Sequence, residues 1–270
     1  MVDSGLDFSP IHDRLSFYVD EGILSCANSL IMRGTDVIDF RLFGYMDLES
    51  KTPLAEDAIY RMYSNTKIVT SVAAMQLVER GKIDLDDPVA DYIPAFADMQ
   101  VLKPGAASVD EVEPANEPMR VRHVLSHSAG LSYGFIEPSS VIDRAYAAAG
   151  INILSEYGLT LESLCDKLGA LPLAYHPGSQ WRYSFGTDVV ARLVEVVSGQ
   201  PFDECLKTNI FEPLAMTDTD FWVPPEKTDR FTTMYAPTDL FDPMKPGLTK
   251  ADDPREGAYS KKRNLLSGGG

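Results

Sequence analysis

A hydroxyl and an ammonium three residues apart, Ser64 and Lys67, head the apolar run "SNTKIVTSVAAMQLVER". Side chains at this spacing share one face of a helix, so the two groups come within hydrogen-bond reach. A serine hydroxyl is a poor nucleophile until a neighbouring base takes its proton, and a lysine in a desolvated site can help as that base. The start of a helix adds free backbone N–H groups and a positive partial charge, which favour an oxyanion forming there. The plainer alternative makes Ser64 a helix N-cap and Lys67 a snorkelling surface residue. A chain of this length holds about one Ser-x-x-Lys by chance, and this is the only one present.

The elements that must position this pair are legible from pattern. Ile68, Val72, Met75, Leu77 and Val78 keep a helical period, and Gly81 supplies a stop, which predicts a helix over 64–80 with a buried apolar face. Upstream, 10–22 reads as an amphipathic helix ended by Gly22. The runs "ILSCANSLIMRG" and "DVIDFRLFGYMD" read as antiparallel strands joined at Gly34-Thr35-Asp36. Downstream, 83–96 reads as a surface loop with a helical turn and 103–118 as a long excursion. "VRHVLSHSAGLSYG" reads as a short helix capped by Gly130. Helices are expected over 159–169, over 186–198 with Gly199 as its stop, and over 201–209 with Pro201 at its start; 213–260 is loop-rich. Strands and helices do not alternate. The expected class is therefore α+β, an antiparallel β-sheet flanked by helices plus a mostly helical subdomain. Its parts are 1–62 (first helix and strands), 63–212 (the helical subdomain) and 213–270 (a return toward the sheet).

With 40 acidic against 24 basic side chains, the net charge of -16 repels phosphate backbones and anionic bilayers, so neither nucleic acid nor a membrane is expected as a partner. No apolar run has bilayer-spanning length, and "MVDSGLDFSP" lacks the basic and apolar regions of a leader, so the cytoplasm is the expected location. Cys26, Cys165 and Cys205 form neither a disulfide framework nor a zinc pattern and read as buried small hydrophobes. The Asp-rich stretch at 83–96 lacks the Gly hinge and terminal Glu of a calcium loop, and His123 and His127 lack a third ligand. No metal and no cofactor is expected.

"GLSYG" makes Ser132 a rival nucleophile of the G-x-S-x-G type, with Asp143 or Asp166 and His176 as partners. A nucleophile elbow needs a strand before it and a helix after it, and the flanking sequence has the reverse character. Among the aromatics near a pocket, Trp181, Tyr146 and Trp222 read first as core. Tyr133 and Phe135 lie in a loop suited to hold an apolar acyl chain.

Taken together, "YRMYSNTK", "AMQLVERGKIDLDDPVADYIP", "VRHVLSHSAGL", "HPGSQWRYSFGTDVVARLVEVVSGQPF" and "IFEPLAMTDT" resemble the serine β-lactamase-like superfamily: class C β-lactamases, DD-peptidases and the family VIII carboxylesterases that share their fold. The resemblance implies that Ser64 is the acylated nucleophile and Lys67 its partner. Tyr183 of "RYSFG" is then the second motif's tyrosine, a general base when stabilised as phenolate between cationic groups. Tyr133, Phe135, Trp181 and Phe185 are the expected substrate-contacting side chains. Phe185 stands where β-lactamases and peptidases carry an Asn, which favours esters over β-lactams. A Lys-Thr-Gly or equivalent third motif does not appear. "SGGG" at 267–270 resembles a segment that in relatives precedes a further helix and the last strands, so a second chain or a missing C-terminal segment is expected to complete the domain and its oxyanion hole. The expected activity is that of a serine carboxylesterase on small-molecule esters. A β-lactamase, DD-peptidase or acyltransferase of the same fold, or a non-catalytic member, are the alternatives.

Overall fold

The computed structural model describes residues 5–151 and 158–270. The described residues form seven α-helices and seven strands. The helices are α1 (Ser9–Asp20), α2 (Thr66–Glu79), α3 (Val121–Leu125), α4 (Val141–Ala148), α5 (Leu161–Gly169), α6 (Gly186–Ser198) and α7 (Phe202–Leu206). The strands are β1 (Cys26–Arg33), β2 (Asp36–Asp47), β3 (Thr52–Pro53), β4 (Gln100–Leu102), β5 (Val112–Pro114), β6 (Met234–Pro237) and β7 (Leu248–Asp252). They fall into two compact units, Met1–Arg61 with Trp222–Lys262, and Met62–Phe221 with Arg263–Gly270.

In the first unit β1 and β2 pair antiparallel across the two-residue turn Gly34-Thr35, with Arg33 opposite Asp36, and β3 adds to the other edge of β2. Gly34 supplies the positive φ, 62°, that such a tight turn requires. Helix α1 lies on this sheet, tied by a 2.8 Å contact between His12 Nε2 and Asp39 Oδ2. Gly44 permits the approach, since a Cβ there would meet Val19 Cγ1 at 2.8 Å. Strands β6 and β7 form a second antiparallel pair inside the stretch read from sequence as loop. They are four and five residues long, too short for alternation to show.

The second unit is built around α6. Its buried residues run without a break from Gly186 to Ala191 and include Leu193 and Val194, so its first turns are buried on every side. Helices α2, α3, α5 and α7 all pack against it. The observed span matches the expected 186–198, and Gly199 ends it in the left-handed conformation at φ 70°. Helix α2 buries Thr70, Ala73, Ala74 and, as expected, Leu77. The large apolar side chains expected on the buried face, Ile68, Val72 and Met75, are instead exposed, Ile68 by 66 %. With Lys67, Ser71, Gln76 and Glu79 they line an open groove of about 600 Å³.

Three other expectations change. The stretch 83–96 is no surface loop, because Ile83, Val89, Ile93 and Phe96 are buried, the last three on 3-10 turns or beside them. The helix at 121 ends at Leu125, and Gly130 lies beyond it at φ 84°, where a Cβ would press Leu173 Cβ at 3.0 Å and the Tyr175 carbonyl. Gly130 thus serves close backbone approach, and caps no helix. Helix α4 was not expected; Ser140 caps it by accepting from the Asp143 amide at 3.2 Å. Cys165 and Cys205 are buried as expected, whereas Cys26 is only half-buried. Met1–Ser4, part of the N-terminal stretch read above, lies outside the described residues.

Candidate active site

The nucleophile candidate sits on a 3-10 turn, Tyr63–Asn65, that leads directly into α2. Tyr63 holds φ 41°, a conformation that costs a non-glycine residue about 1–3 kcal/mol and that surrounding structure must impose. This turn presents the Ser64 hydroxyl at the helix entrance. Tyr183 Oη lies 2.9 Å from Ser64 Oγ, and Lys67 Nζ donates to Ser64 Oγ at 3.2 Å. The helix start carries no side-chain cap from Asn65, and the Ser64 hydroxyl points to Tyr183 and Lys67, away from the N-cap role.

Lys67 is enclosed by aromatic faces and one carbonyl. Its Nζ lies 4.8 Å from the Tyr183 ring centre and 5.4 Å from that of Tyr133, and it donates to the Gly269 carbonyl. The rings offer the ammonium a favourable quadrupole. Tyr183 is itself fixed on two sides, by Tyr133 at 5.2 Å and His127 at 4.9 Å between ring centres. His127 stands at φ 56°, with Nδ1 3.0 Å from Ser184 Oγ. Burial, and after it the Lys67 charge, hold its imidazole below the usual histidine range, so it stays neutral.

The structure brings Ser64, Lys67, Tyr183 and Tyr133 together, with Trp181 and Phe135 at the margin. Trp181 is 69 % exposed, its ring 6.5 Å from that of Tyr183, and the half-exposed Phe135 leans on Tyr133 at 5.0 Å. Phe185, expected to touch substrate, is instead 2 % exposed and packs between Tyr133 at 4.6 Å and Tyr146 at 6.1 Å. It supports Tyr133 from behind, because α6 begins at the next residue and turns that side chain inward. Tyr146 is fully buried, and Trp222 belongs to the other compact unit.

Ser132 is fully buried, its Oγ accepting from Arg182 Nε at 2.8 Å. It is a structural anchor and no nucleophile. His123 is buried and accepts from the Arg120 amide through Nδ1 at 3.2 Å. Among the described residues no group of three or more His, Cys, Asp or Glu is placed to hold a metal, and no helix is long and apolar enough to cross a membrane.

Sequence reasoning missed Arg182. It spans Ser132, Glu137 at 3.2 Å and the buried Asp143 at 3.3 Å, and so ties the Tyr133–Phe135 loop to the segment carrying Tyr183. The signal available was four acceptors, Ser132, Glu137, Ser140 and Asp143, within the "SYGFIEPSSVID" stretch and one arginine beside the motif tyrosine. It also missed Asp188, one of two carboxylates with Glu195 in the run "GTDVVARLVEVV" and the fully buried one; a charge in such a run is seldom buried without a purpose.

The family profile for beta-lactamases matches residues 18–266, and the chain belongs to that family. Its fold is the α+β, β-lactamase/transpeptidase-like one. The chain is 32 % identical over 221 residues to esterase EstB of Burkholderia gladioli, covering 80 % of this chain and 53 % of that protein. It is 34 % identical over 174 residues to monacolin J acid methylbutanoyltransferase of Aspergillus terreus, covering 63 % of this chain and 39 % of that one. Among solved structures it resembles EstCE1, described as a hydrolase with promiscuous acyltransferase activity, with a TM-score of 0.77, 29 % identity and coverage of 91 % of this chain and 59 % of that chain. The chain spans about half the length of the curated relatives it matches first.

Proposed function

We propose that the protein is a serine carboxylesterase working through an acyl-enzyme on Ser64. The observation that carries this reading is the contact of three groups, Ser64 Oγ with Tyr183 Oη at 2.9 Å and with Lys67 Nζ at 3.2 Å. Tyr183 Oη is the general base that takes the Ser64 proton as Oγ attacks the ester carbonyl carbon. It returns that proton to the departing alcohol oxygen, leaving the acyl group on Ser64. Water then surrenders a proton by the same route and releases the acid. The Lys67 ammonium opposes the negative charge on either oxygen and needs no covalent role.

Phe185 supports esters over β-lactams, since a buried phenyl stands where an amide would hold a substrate amide. Trp181 and Phe135 offer exposed apolar surface beside the hydroxyl for a small acyl or alcohol group. The likeness to an esterase and to EstCE1 points the same way. Acyl transfer to an alcohol is the second reading, favoured by the methylbutanoyltransferase relative and by the EstCE1 description.

The test is pre-steady-state hydrolysis of p-nitrophenyl acetate and butyrate by the full chain. A burst of one nitrophenolate per Ser64, lost in Ser64→Ala, supports the reading. Steady turnover unaffected by Ser64→Ala overturns it. An added alcohol captured as a new ester distinguishes transfer from hydrolysis, and nitrocefin turnover matching ester turnover would favour a β-lactamase.

A further inference from the structure

The segment Ser267–Gly270 runs between α2 and α6, immediately behind the reactive pair. Thr70 on α2 donates to the Gly268 carbonyl at 2.8 Å, and a Cβ at Gly268 would meet Ala191 Cβ on α6 at 2.7 Å. Glycine is needed here for close passage. At Gly269 the crowding has a different character. A Cβ there would lie 2.8 Å from Asp188 Oδ2, 3.0 Å from Tyr133 Oη and 3.3 Å from Lys67 Nζ. Three polar groups therefore converge on one point, separated by the slimmest possible backbone.

Asp188 is the unexpected member. It is fully buried in the first turns of α6, and Oδ1 accepts from Ser267 Oγ at 2.5 Å. Oδ2, the oxygen facing Gly269, has no hydrogen-bond partner among the described residues. A buried carboxylate oxygen without a partner is costly unless a nearby charge compensates it. Lys67 is the cation on that side, and its Nζ donates to the carbonyl of the glycine in between. Ser267 also accepts from the Gly269 and Gly270 amides, each at 3.1 Å, so one hydroxyl fixes both the carboxylate and the glycine turn.

We propose that Asp188, seated by Ser267, is a positioning residue that supplies the buried counter-charge for Lys67 across Gly269 and so holds it as the ammonium facing Ser64 and Tyr183. The proposal rests on the reading of Ser64 as nucleophile. Asp188 touches no substrate and acts only through Lys67. The other titratable groups facing the pair are Tyr133 and Tyr183 over Lys67, His127 within its field, and Cys165 on α5 within that of Asp188. Burial pushes the Cys165 thiol up and the His127 imidazole down, so both are neutral. Burial also pushes the Asp188 carboxyl up, while the Ser267 hydroxyl, Lys67 and the Gly269 amide act in the opposite sense.

The experiment measures the pH profile of kcat/KM for p-nitrophenyl butyrate, and of fluorophosphonate labelling, in the full-length wild type, Asp188→Asn and Ser267→Ala. Asp188→Asn moves the alkaline limb of both profiles down by about one pH unit or more, the effect of deleting a unit charge a few ångströms away in protein. KM stays within about twofold, as expected for a residue remote from substrate. Ser267→Ala moves the limb the same way by less, and decides the question if Asp188→Asn fails to fold. Unmoved limbs in a folded variant, with wild type still labelled at Ser64, overturn the role of Asp188 alone. Wild type that takes no label at Ser64 overturns the parent reading with it.

Discussion

Tyr183 Oη and Ser64 Oγ are 2.9 Å apart although 119 residues separate them in sequence. The phenol is held there by rings on two faces, Tyr133 and His127, and those rings are held by the loop and backbone turn that carry them. Replacing Tyr183 by Phe keeps the rings in place and deletes only the proton carrier. The expected outcome is a fall in kcat of about 10²–10⁴-fold with the thermal midpoint nearly unchanged, checked by steady-state kinetics alongside calorimetry.

Arg182 is worth more to stability than its partly exposed position suggests. Its partner Asp143 has a side chain with 0 % exposure. Arg182→Met strands that carboxylate, and losing one member of a buried pair costs about 3–5 kcal/mol. Thermal unfolding should show this loss, with KM raised because the Tyr133–Phe135 loop is no longer tethered. Adding Asp143→Asn should recover part of the stability, a coupling that a double-mutant cycle measures.

Restoring the amide that the resemblance leads one to expect should not restore β-lactam chemistry. Phe185→Asn removes a ring packed on Tyr133 and Tyr146 and buries an amide in its place. Large-to-small replacement of a buried Phe costs about 3–5 kcal/mol. Urea denaturation is expected to show a loss of at least this order, with nitrocefin turnover no higher than in the wild type.

One contribution to the pH dependence of stability comes from His127. Its folded-state affinity for protons lies below the ordinary value of 6.5, chiefly through burial and then through Lys67. The unfolded chain therefore binds more protons in the window below 6.5, and stability falls as pH falls through it. Thermal midpoints measured from pH 8 to pH 5 should decline below about pH 6.5, and His127→Gln should flatten the decline. His123, lowered likewise by burial, accounts for a residual slope.

What could be read from sequence followed the range of the interactions. The β1–β2 hairpin was legible because Gly34-Thr35 and its flanking strands are local, and α6 because Gly199 ends an apolar run. Strands β4 to β7 were not, since segments of three to five residues acquire their conformation from a partner ladder. The face of α2 was read only in part: Leu77 is buried as expected, but size suggested Ile68, Val72 and Met75 for the interior where Thr70, Ala73 and Ala74 are the buried residues. Val89, Ile93 and Phe96 reach the core from or beside short 3-10 turns, whose helical spacing the surrounding Pro and Asp residues obscured. At the site, Ser64 and Lys67 were legible from helical spacing, and Tyr183 only through the family resemblance. Arg182, Asp188 and Ser267 were missed because each finds its partners far along the chain.

The central claim is that Ser64 is the group acylated, with Tyr183 and Lys67 supplying its activation. Intact mass spectrometry of the full-length protein after incubation with a fluorophosphonate probe tests it most directly. One adduct per chain is expected, mapped to the peptide containing Ser64, absent in Ser64→Ala and formed far more slowly in Tyr183→Phe. An adduct of undiminished yield in Ser64→Ala, or none in the wild type, would contradict it.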